Sequence, residues 1–369
     1  MSGKTQVDVL VIGLGPAGGA SAAASARAGL SVLAVERKAH VGVPVQCAEF
    51  IPLPLGKYAQ AEGVLVQHIA GMKNYLPSGM TEKAAFPGLM IDRAAFDQAL
   101  AREAEALGAE LCLASRLLRL DARHSIATIQ TPEGEREVGY RLLIAADGPY
   151  STVASQLGLA PLETVFTRQY TVPLLQPYDD TDIWLSDEYP GGYAWLFPKG
   201  ECANLGVGAD KDYTHDLKQP LDALHARLVN QGVVGDTILS LTGGLIPVGG
   251  LRARLVVDKT LFVGDAAGLT HPITGAGIAA ALVSGECAGQ AAARYLLANE
   301  ADALNEFEAE IRDQFEMSLA RAVARRQWLN QRWHTAAACE DAMHRKGWIA
   351  FPEYFEKQIF TTEYTEDTE

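Results

Sequence analysis

The chain has 369 residues, of which 48% are hydrophobic, and its 31 basic and 45 acidic side chains give a formal net charge of −14. This length suggests two domains with enough apolar surface for a large core. The acidic excess disfavours a broad electrostatic contact with nucleic acid. Because no apolar run is long enough for a membrane span and the N-terminus leads straight into a predicted strand, we expect a cytoplasmic protein with at most peripheral membrane contact.

The N-terminal segment has the pattern of a dinucleotide-binding fold. A predicted buried strand runs into Gly-Leu-Gly-Pro-Ala-Gly (13–18), followed by a helix of small residues and a second strand that ends at Glu36. In this motif Gly13 permits the tight turn, Gly15 lets a pyrophosphate approach the backbone, and Gly18 allows the helix to pack closely on the strand. The helix N-terminus favours the phosphates, and Glu36 would accept hydrogen bonds from the ribose hydroxyls.

Cysteine and histidine spacing gives no indication of a metal site. The five cysteines include no Cys-x-x-Cys pair, and the histidines do not have the spacing of helical metal ligands. We therefore predict neither a disulfide framework nor a bound metal.

The middle third is predicted to be mainly β-structure, from about residue 165 to 208. Within it Tyr193, Trp195 and Phe197 alternate with other residues, so on a strand their rings would share one face. Three aromatic rings on one face would form a flat apolar wall; the alternative is that they only pack in the core.

Two further predicted strands end in an acidic residue beside a glycine. The first ends at Asp147, and the second runs into Gly-Asp-Ala-Ala-Gly (264–268), a loop, and a long helix that starts near Gly275. The carboxylate of Asp265 suits a polyhydroxylated chain, with a helix N-cap as the alternative. The positive end of the helix would face whatever lies over the loop, and Gly275 and Gly277 would let a planar ring approach the backbone.

These motifs together resemble known flavoprotein families. The late Gly-Asp unit and an Asp-Arg-x-x-Phe helix start (92–96) resemble the FAD-binding domain of the p-hydroxybenzoate hydroxylase-like superfamily. The run Tyr-x-Trp-x-Phe-Pro (193–198) and the segment Gly-Val-Pro-Val-Gln-Cys (42–47) are similar to the geranylgeranyl reductase family, in which the aromatic motif lines the cavity for an isoprenoid chain. The resemblance spans roughly residues 7–297.

The resemblance implies an α/β fold. A Rossmann-like FAD-binding domain would carry an inserted antiparallel β-sheet substrate domain and a helical C-terminal tail. The implied boundaries are 1–75, 92–160 and 250–300 for a discontinuous FAD-binding domain, 76–91 and 161–249 for the substrate domain, and 301–369 for the helical C-terminal region.

The same resemblance implies a bound FAD, with Asp265 on its ribityl chain. The residues assigned to FAD are Gly13, Gly15, Pro16, Ala17, Gly18, Glu36, Arg37, Arg93, Asp147, Gly264, Asp265, Pro272, Gly275, Gly277 and Ile278, and those assigned to the substrate are Tyr193, Trp195 and Phe197. Because there is no second dinucleotide motif, NAD(P)H or another reductant would act only as a transient electron donor.

Two residues are candidates for proton transfer. Family members often carry Cys-Gly-Glu or Cys-Gly-Gly after the second strand, whereas this chain has Cys47 followed by Ala48 and Glu49. Cys47 would relay a proton beside the flavin or contact the substrate double bond, or else be an inert loop thiol. His271 would donate a proton, or else fix its loop through a hydrogen bond.

Three functions remain open from the sequence. The first is reduction of C=C bonds in a hydrophobic prenyl substrate by hydride from flavin N5. The second is a monooxygenase that hydroxylates an aromatic group, for example a tryptophan of a precursor protein during quinone-cofactor maturation. The third is an electron relay to quinone. From about 301 to 346 the chain is predicted to be helical, and within this range a basic stretch from Arg321 to Lys346 carries Trp328 and Trp333. Such a tail would hold a protein partner or an anionic membrane, or would pack its aromatic residues on the protein itself.

Overall fold

The computed structural model describes residues 5–356 and shows a mixed α/β architecture. The strands, in chain order, are β1 (Thr5–Ile12), β2 (Val32–Val35), β3 (Phe50–Pro52), β4 (Leu65–Ile69), β5 (Gly71–Tyr75), β6 (Thr81–Ala84), β7 (Gly88–Ile91), β8 (Glu110–Cys112), β9 (Arg116–Asp121), β10 (Ile126–Thr131), β11 (Gly134–Ala145), β12 (Thr164–Pro173), β13 (Asp180–Trp184), β14 (Tyr193–Lys199), β15 (Cys202–Ala209), β16 (Ser240–Pro247), β17 (Val256–Val257) and β18 (Thr260–Phe262). The α-helices are α1 (Pro16–Arg27), α2 (Arg93–Ala106), α3 (Thr152–Gln156), α4 (Lys218–Asn230), α5 (Ile278–Leu296), α6 (Ala303–Asn330) and α7 (Asp341–Gly347).

The first sheet carries the glycine-rich turn. Its strand order is β17–β18–β11–β1–β2–β8, and β10 and β9 extend it from β11. β1 pairs in parallel with both β11 and β2, and β11 pairs in parallel with β18. Val9, Leu10 and Val11 of β1 are fully buried, which is why this strand has a continuous apolar sequence. Because these strands are parallel, the turns after β1, β2, β11 and β18 meet at one edge of the sheet.

Helices α1 and α5 pack against each other at very short range. α1 consists mostly of alanine and glycine and is buried along most of its length. A Cβ atom added to Gly285 of α5 would lie 2.3 Å from the carbonyl oxygen of Ala17, so a larger residue cannot stand there. This close approach fixes the N-terminus of α1 relative to the loop that precedes α5.

The second sheet is built from the middle of the chain. Its strand order is β16–β12–β15–β14–β13–β5–β6, and most of its pairs are antiparallel. Leu221, Leu224 and Leu228 of α4 pack with buried residues of this sheet in one apolar cluster. Trp195 and Phe197 belong to a different cluster. The sheet thus has a core on one face and the aromatic residues of β14 on the other.

A small antiparallel sheet, with the order β3–β7–β4, completes the fold. β5 lies inside the predicted FAD-binding range 1–75, yet it pairs with β13 and β6 in the second sheet. β7 lies inside the predicted substrate-domain range 76–91, yet it pairs with β3 and β4. The domain boundaries themselves stay predictions.

The C-terminal region contains two α-helices, separated by a break within the range 301 to 346 that the sequence predicts to be helical. α6 ends at Asn330, and α7 begins only at Asp341. The chain turns back between them because Leu329, Trp333 and Met343 bury one another in a separate apolar cluster. Residues 357–369 of the predicted tail lie outside the described residues.

Two arginines of the basic tail are buried inside the protein. Arg326 pairs with the carboxylate of Asp210 at 2.6 Å, and Nε of Arg325 donates to the carbonyl oxygen of Tyr354 at 3.0 Å. Each arginine is only 5% exposed, so neither contributes to an outward-facing basic surface. Between residues 5 and 356, no helix is both long and apolar enough to cross a bilayer.

Candidate active site

The glycine-rich turn between β1 and α1 has an open side. Gly13 has φ +97°, and its N–H donates to the carbonyl oxygen of Val35 at 2.8 Å. A Cβ added to Gly18 would lie 1.9 Å from the carbonyl oxygen of Gly13. The helix therefore packs too closely on the turn for any side chain at this position. A Cβ added to Gly15 would meet no described atom within 4 Å. The N-terminus of α1 therefore faces free space at Gly15, the position where the motif requires room for a pyrophosphate.

Glu36 lies where β2 ends, beside this turn. Its side chain is buried, and its two oxygens accept from the N–H groups of Leu14 at 2.9 Å and Lys38 at 3.0 Å. A carboxylate has about four acceptor positions, so Glu36 keeps capacity for another donor. The side chain of Arg37 is exposed next to it. Their contact with a nucleotide stays a prediction.

Asp147 lies at the same sheet edge, in the loop after β11. Its Oδ2 accepts from the N–H of Val153 at 3.1 Å, whereas its buried Oδ1 has no hydrogen-bond partner among residues 5–356. Burial raises the pKa of Asp147. An unpaired buried oxygen beside Gly13 is the kind of atom that a ligand donor would satisfy.

The loop between β18 and α5 brings Asp265 toward the same region. Oδ1 of Asp265 accepts from the hydroxyl of Thr270 at 2.6 Å. α5 is capped at Gly277 rather than at Asp265, so the N-cap alternative for Asp265 is wrong. Burial raises the pKa of Asp265, and the Thr270 hydrogen bond and the charge of Arg93 offset part of this effect.

His271 stabilises this loop. Its Nδ1 accepts from the backbone N–H groups of Ile273 and Thr274, each at 3.3 Å. Burial lowers the pKa of His271 to about 4, so the ring is neutral near pH 7. Both observations favour the loop-fixing alternative over proton donation.

Cys47 lies between the two sheets, in the loop after β2. Its Sγ accepts from the N–H of Glu49 at 3.2 Å. Burial raises the pKa of the Cys47 thiol, so it keeps its proton near neutral pH. Arg93 lies beside this thiol, but Asp97 accepts both its Nε–H and its Nη2–H at 3.0 Å. Asp97 thus fixes the orientation of this guanidinium while taking two of its five N–H donors, and the contact of Arg93 with FAD stays a prediction.

The aromatic residues of β14 form the predicted wall. Tyr193, Trp195 and Phe197 belong to a single apolar cluster, with 5.7 Å between the ring centroids of Tyr193 and Trp195. The ring of Phe50 packs on Phe197 at 6.0 Å. The Tyr193 hydroxyl donates to the carbonyl oxygen of Thr274 at 2.6 Å. This bond ties the wall to the loop that carries Asp265.

Trp348, from the segment after α7, adds a fourth ring to the wall. It is 3% exposed and belongs to the same cluster. A cavity of about 30 Å³ lies beside Tyr193, Ile273 and Trp348. That volume holds a water molecule or two and is too small for a long apolar chain.

Sequence reasoning missed Trp348 and four polar residues whose hydrogen bonds hold the loop around Cys47. Glu49 and Lys199 stand inside motifs that the sequence shows, but no local pattern indicates that they pair with each other. Gln169 and Asn204 reach the loop from strands that are distant in sequence. Trp348 lies outside every motif that the sequence shows. It joins the aromatic wall only because the tertiary fold brings it there.

Comparisons with known proteins agree with this geometry. The pattern of the geranylgeranyl reductase catalytic domain matches residues 166–246, and that of the lycopene cyclase protein matches residues 213–346. Digeranylgeranylglycerophospholipid reductase 2 of Methanopyrus kandleri is 35% identical over 309 residues, covering 78% of this chain and 77% of the relative. The chain belongs to the geranylgeranyl reductase family. The digeranylgeranylglycerophospholipid reductase of Methanosarcina acetivorans is 34% identical, with 78% of this chain and 75% of that relative covered.

Solved structures share this fold over most of the chain. A geranylgeranyl bacteriochlorophyll reductase-like protein from Thermoplasma acidophilum superposes with a TM-score of 0.84 and 27% identity, covering 94% of this chain and 92% of that one. PqsL, a probable FAD-dependent monooxygenase from Pseudomonas aeruginosa, is 20% identical with a TM-score of 0.68, which shows the fold alone. The predicted family and fold class are confirmed, and the chain is an enzyme of the geranylgeranyl reductase family.

The residues at the sheet edge fit FAD. The free space at Gly15 and the uncapped N-terminus of α1 suit the pyrophosphate. The buried, unpaired Oδ1 of Asp147 provides an acceptor beside the turn, and Asp265 presents a carboxylate with a single described donor. The assignment of individual residues to FAD, substrate and catalysis stays a prediction.

Proposed function

We propose that the protein reduces carbon–carbon double bonds in the prenyl chains of a lipid. The observation that carries this proposal is the position of the aromatic wall. Trp195 and Phe197 are less than one-tenth exposed, and Tyr193 of the same strand bonds to the loop that holds Asp265. A substrate that lies on this wall is therefore held next to the proposed flavin site.

The wall selects its ligand by apolar contact. Its cluster contains aliphatic and aromatic side chains, including Ile69, Met72 and Met90. Apolar surfaces of this kind favour long hydrocarbon chains, because burial of apolar area drives binding without fixing a polar group. The names of the two reductase relatives indicate lipids with geranylgeranyl chains, which agrees with this chemistry.

Saturation of one double bond requires two electrons and two protons. When bound, FAD supplies the reducing equivalents. Cys47 holds a proton at Sγ, because burial keeps the thiol undissociated. His271 remains neutral and positions its loop through Nδ1. We therefore assign the proton-holding role to Cys47 and the loop-fixing role to His271.

The cavity beside the wall has to enlarge before a prenyl chain enters. Trp348 lines this cavity, whose volume is about 30 Å³. The segment that carries Trp348 contacts the second sheet through a few side chains. Asp341 accepts from the hydroxyl of Ser78 at 2.6 Å, and the indole of Trp348 donates to Asn74 at 2.8 Å. Displacement of this segment would open the wall to a lipid.

The test uses the FAD-loaded protein, reduced chemically in the absence of oxygen and mixed with digeranylgeranylglycerophospholipid. We expect flavin reoxidation and, by mass spectrometry, products that have gained two hydrogen atoms per double bond. Cys47→Ser should slow the reaction, whereas Cys339→Ser, at an exposed cysteine, should not. Absence of saturated products from every geranylgeranyl lipid tested would contradict the proposal.

The same assay separates the other two functions. Products that gain an oxygen atom, and form only in air, would indicate the monooxygenase. Oxidation of the reduced protein by quinones alone would indicate the electron relay. We propose NAD(P)H or another reductant as the transient electron donor. A protein partner at the tail and a cytoplasmic location stay predictions, and the burial of Arg325 and Arg326 gives the partner no support.

A further inference from the structure

The loop that carries Cys47 crosses the second sheet, and each of four neighbouring strands donates a hydrogen bond to it. We call residues 45–49 the Cys47 loop. Going along the sheet in the order β16, β12, β15, β14, the donors are Thr242 Oγ1 to Val45 O at 2.8 Å, Gln169 Nε2 to Cys47 O at 3.1 Å, Asn204 Nδ2 to Ala48 O at 3.3 Å, and Lys199 Nζ to both Glu49 oxygens at 2.9 Å. Successive parts of the loop thus contact successive strands.

Gln169 connects the loop directly to the aromatic wall. It is 5% exposed, and its Oε1 accepts from the indole N–H of Trp195 at 3.1 Å while its Nε2 donates to the carbonyl oxygen of Cys47. One planar amide therefore spans from the wall to the residue that carries the thiol. Both ends of this amide are used, so its orientation is fixed.

Glu49 closes the other end of the loop. Its side chain is 3% exposed, and its backbone has φ +71°, a conformation that favours glycine. In addition to Lys199, its carboxylate accepts from Nδ2 of Asn204 at 2.8 Å and from the N–H of Arg93 at 2.9 Å. Its own N–H donates to Sγ of Cys47. The buried carboxylate of Glu49 thus joins the second sheet to the start of α2, and its backbone N–H contacts the thiol.

We propose that Gln169 and Glu49 are positioning residues that hold the thiol of Cys47 at a fixed place against the aromatic wall. Neither residue is needed to explain how the second sheet forms, because the strand pairing of β12, β14 and β15 is complete without their side chains. Their side-chain hydrogen bonds instead hold the Cys47 loop in place. The effect of this positioning on turnover rests on the proposed function; the positioning itself does not.

The test measures the chemical accessibility of Cys47 in the FAD-loaded protein. Gln169→Met keeps the chain length but removes both hydrogen bonds, and Glu49→Gln keeps the shape but removes the charge that pairs with Lys199. The matched control is Gln156→Met, since Gln156 also bridges two backbone groups, Leu118 O and Leu120 N, far from this loop. Alkylation by iodoacetamide is followed at Cys47 by peptide mass spectrometry, with the exposed Cys339 as an internal reference.

We expect both variants to alkylate Cys47 about fivefold faster or more, with Cys339 unchanged, because a released loop opens locally more often. Turnover of a prenyl lipid should fall about tenfold at nearly unchanged KM, as a misplaced reacting group predicts. Folded variants that alkylate Cys47 at the wild-type rate would overturn the proposal, as would equal acceleration in Gln156→Met. Faster alkylation in a protein that reduces no prenyl lipid would support the positioning role and refute the proposed function alone.

Discussion

The indole of Trp348 meets the ring of Tyr193 edge to face, with 4.8 Å between the ring centroids. Tyr193 belongs to the second sheet, whereas Trp348 directly follows α7. The indole N–H donates to Oδ1 of Asn74 at 2.8 Å, and Asn74 is itself 1% exposed. The C-terminal segment is therefore part of the aromatic wall and not an independent appendage.

Substitutions at Trp348 should destabilise the protein by amounts that separate packing from hydrogen bonding. Trp348→Ala is expected to cost about 3–5 kcal/mol through loss of a buried aromatic side chain. Trp348→Phe should cost about 1–3 kcal/mol, since it leaves the buried Oδ1 of Asn74 without its donor. The measurement is urea unfolding. The control is Trp328→Ala, at a half-buried site where the ring stacks with Arg332. We expect this variant to cost below about 1 kcal/mol. Equal losses of stability at both sites would refute the structural role of Trp348.

Alanine substitutions in the glycine-rich turn should separate folding from FAD binding. Gly15→Ala meets no described atom within 4 Å, and the backbone there has φ −73°, so the protein should fold normally. Its FAD affinity should still fall by about tenfold or more, because the added methyl group occupies the space assigned to the pyrophosphate. Gly18→Ala, whose Cβ would lie 1.9 Å from a carbonyl oxygen, should lower stability as well. Equilibrium flavin titration and thermal unfolding measure the two effects, and wild-type affinity in Gly15→Ala would place the pyrophosphate elsewhere.

The dinucleotide-binding fold of the first sheet was predictable because its sequence signals are local. Gly13, Gly15 and Gly18 each act within a short turn, and the apolar run of β1 is buried on both faces of a parallel sheet. The alternation of Tyr193, Trp195 and Phe197 also sufficed to place their rings on one face, since side chains in a strand have a period of two.

The surroundings of Cys47 were not predictable, because they depend on contacts between distant parts of the chain. The donor to the Cys47 carbonyl is Gln169, which lies 122 residues away in sequence. Neither residue has a local pattern that reveals the other. The break after α6 was missed for a similar reason, since it depends on the packing of Leu329 against Met343 rather than on helix propensity.

His271 should stay neutral throughout the physiological pH range. Burial lowers its pKa to about 4, below the ordinary value, so the folded protein excludes a proton that the unfolded chain binds below about pH 6.5. His271 therefore lowers stability progressively as the pH falls from about 6.5 toward 4. Proton NMR of the imidazole resonances, assigned by comparison with His271→Gln, should show no titration of this ring between about pH 5.5 and 8. A midpoint near 6.5 would show that the ring is solvated and would restore it as a candidate proton donor.

The effect of Asp182, on β13, on folding stability should depend on pH in the opposite direction to that of His271. It is 1% exposed, its Oδ2 accepts from the hydroxyls of Tyr75 and Tyr178, and its Oδ1 has no partner within the described range. Burial raises the pKa of Asp182 to about 6, so the folded protein retains a proton that the unfolded chain loses above about pH 4. Its contribution to stability is therefore greatest at low pH and declines by about 3 kcal/mol as the pH rises from about 4 to 6.

Asp182→Asn carries no charge at any pH and keeps an oxygen for the tyrosine hydroxyls, so it should be more stable than the wild type above about pH 6 and similar to it near pH 4. Urea unfolding at both pH values measures the difference. Asp222→Asn is the contrasting control: the hydrogen bond from Lys218 lowers the pKa of Asp222 and outweighs the effect of burial, so this variant should lose stability at neutral pH. If Asp182→Asn were instead destabilised at neutral pH, the carboxylate of Asp182 would be charged and stabilising in the folded protein.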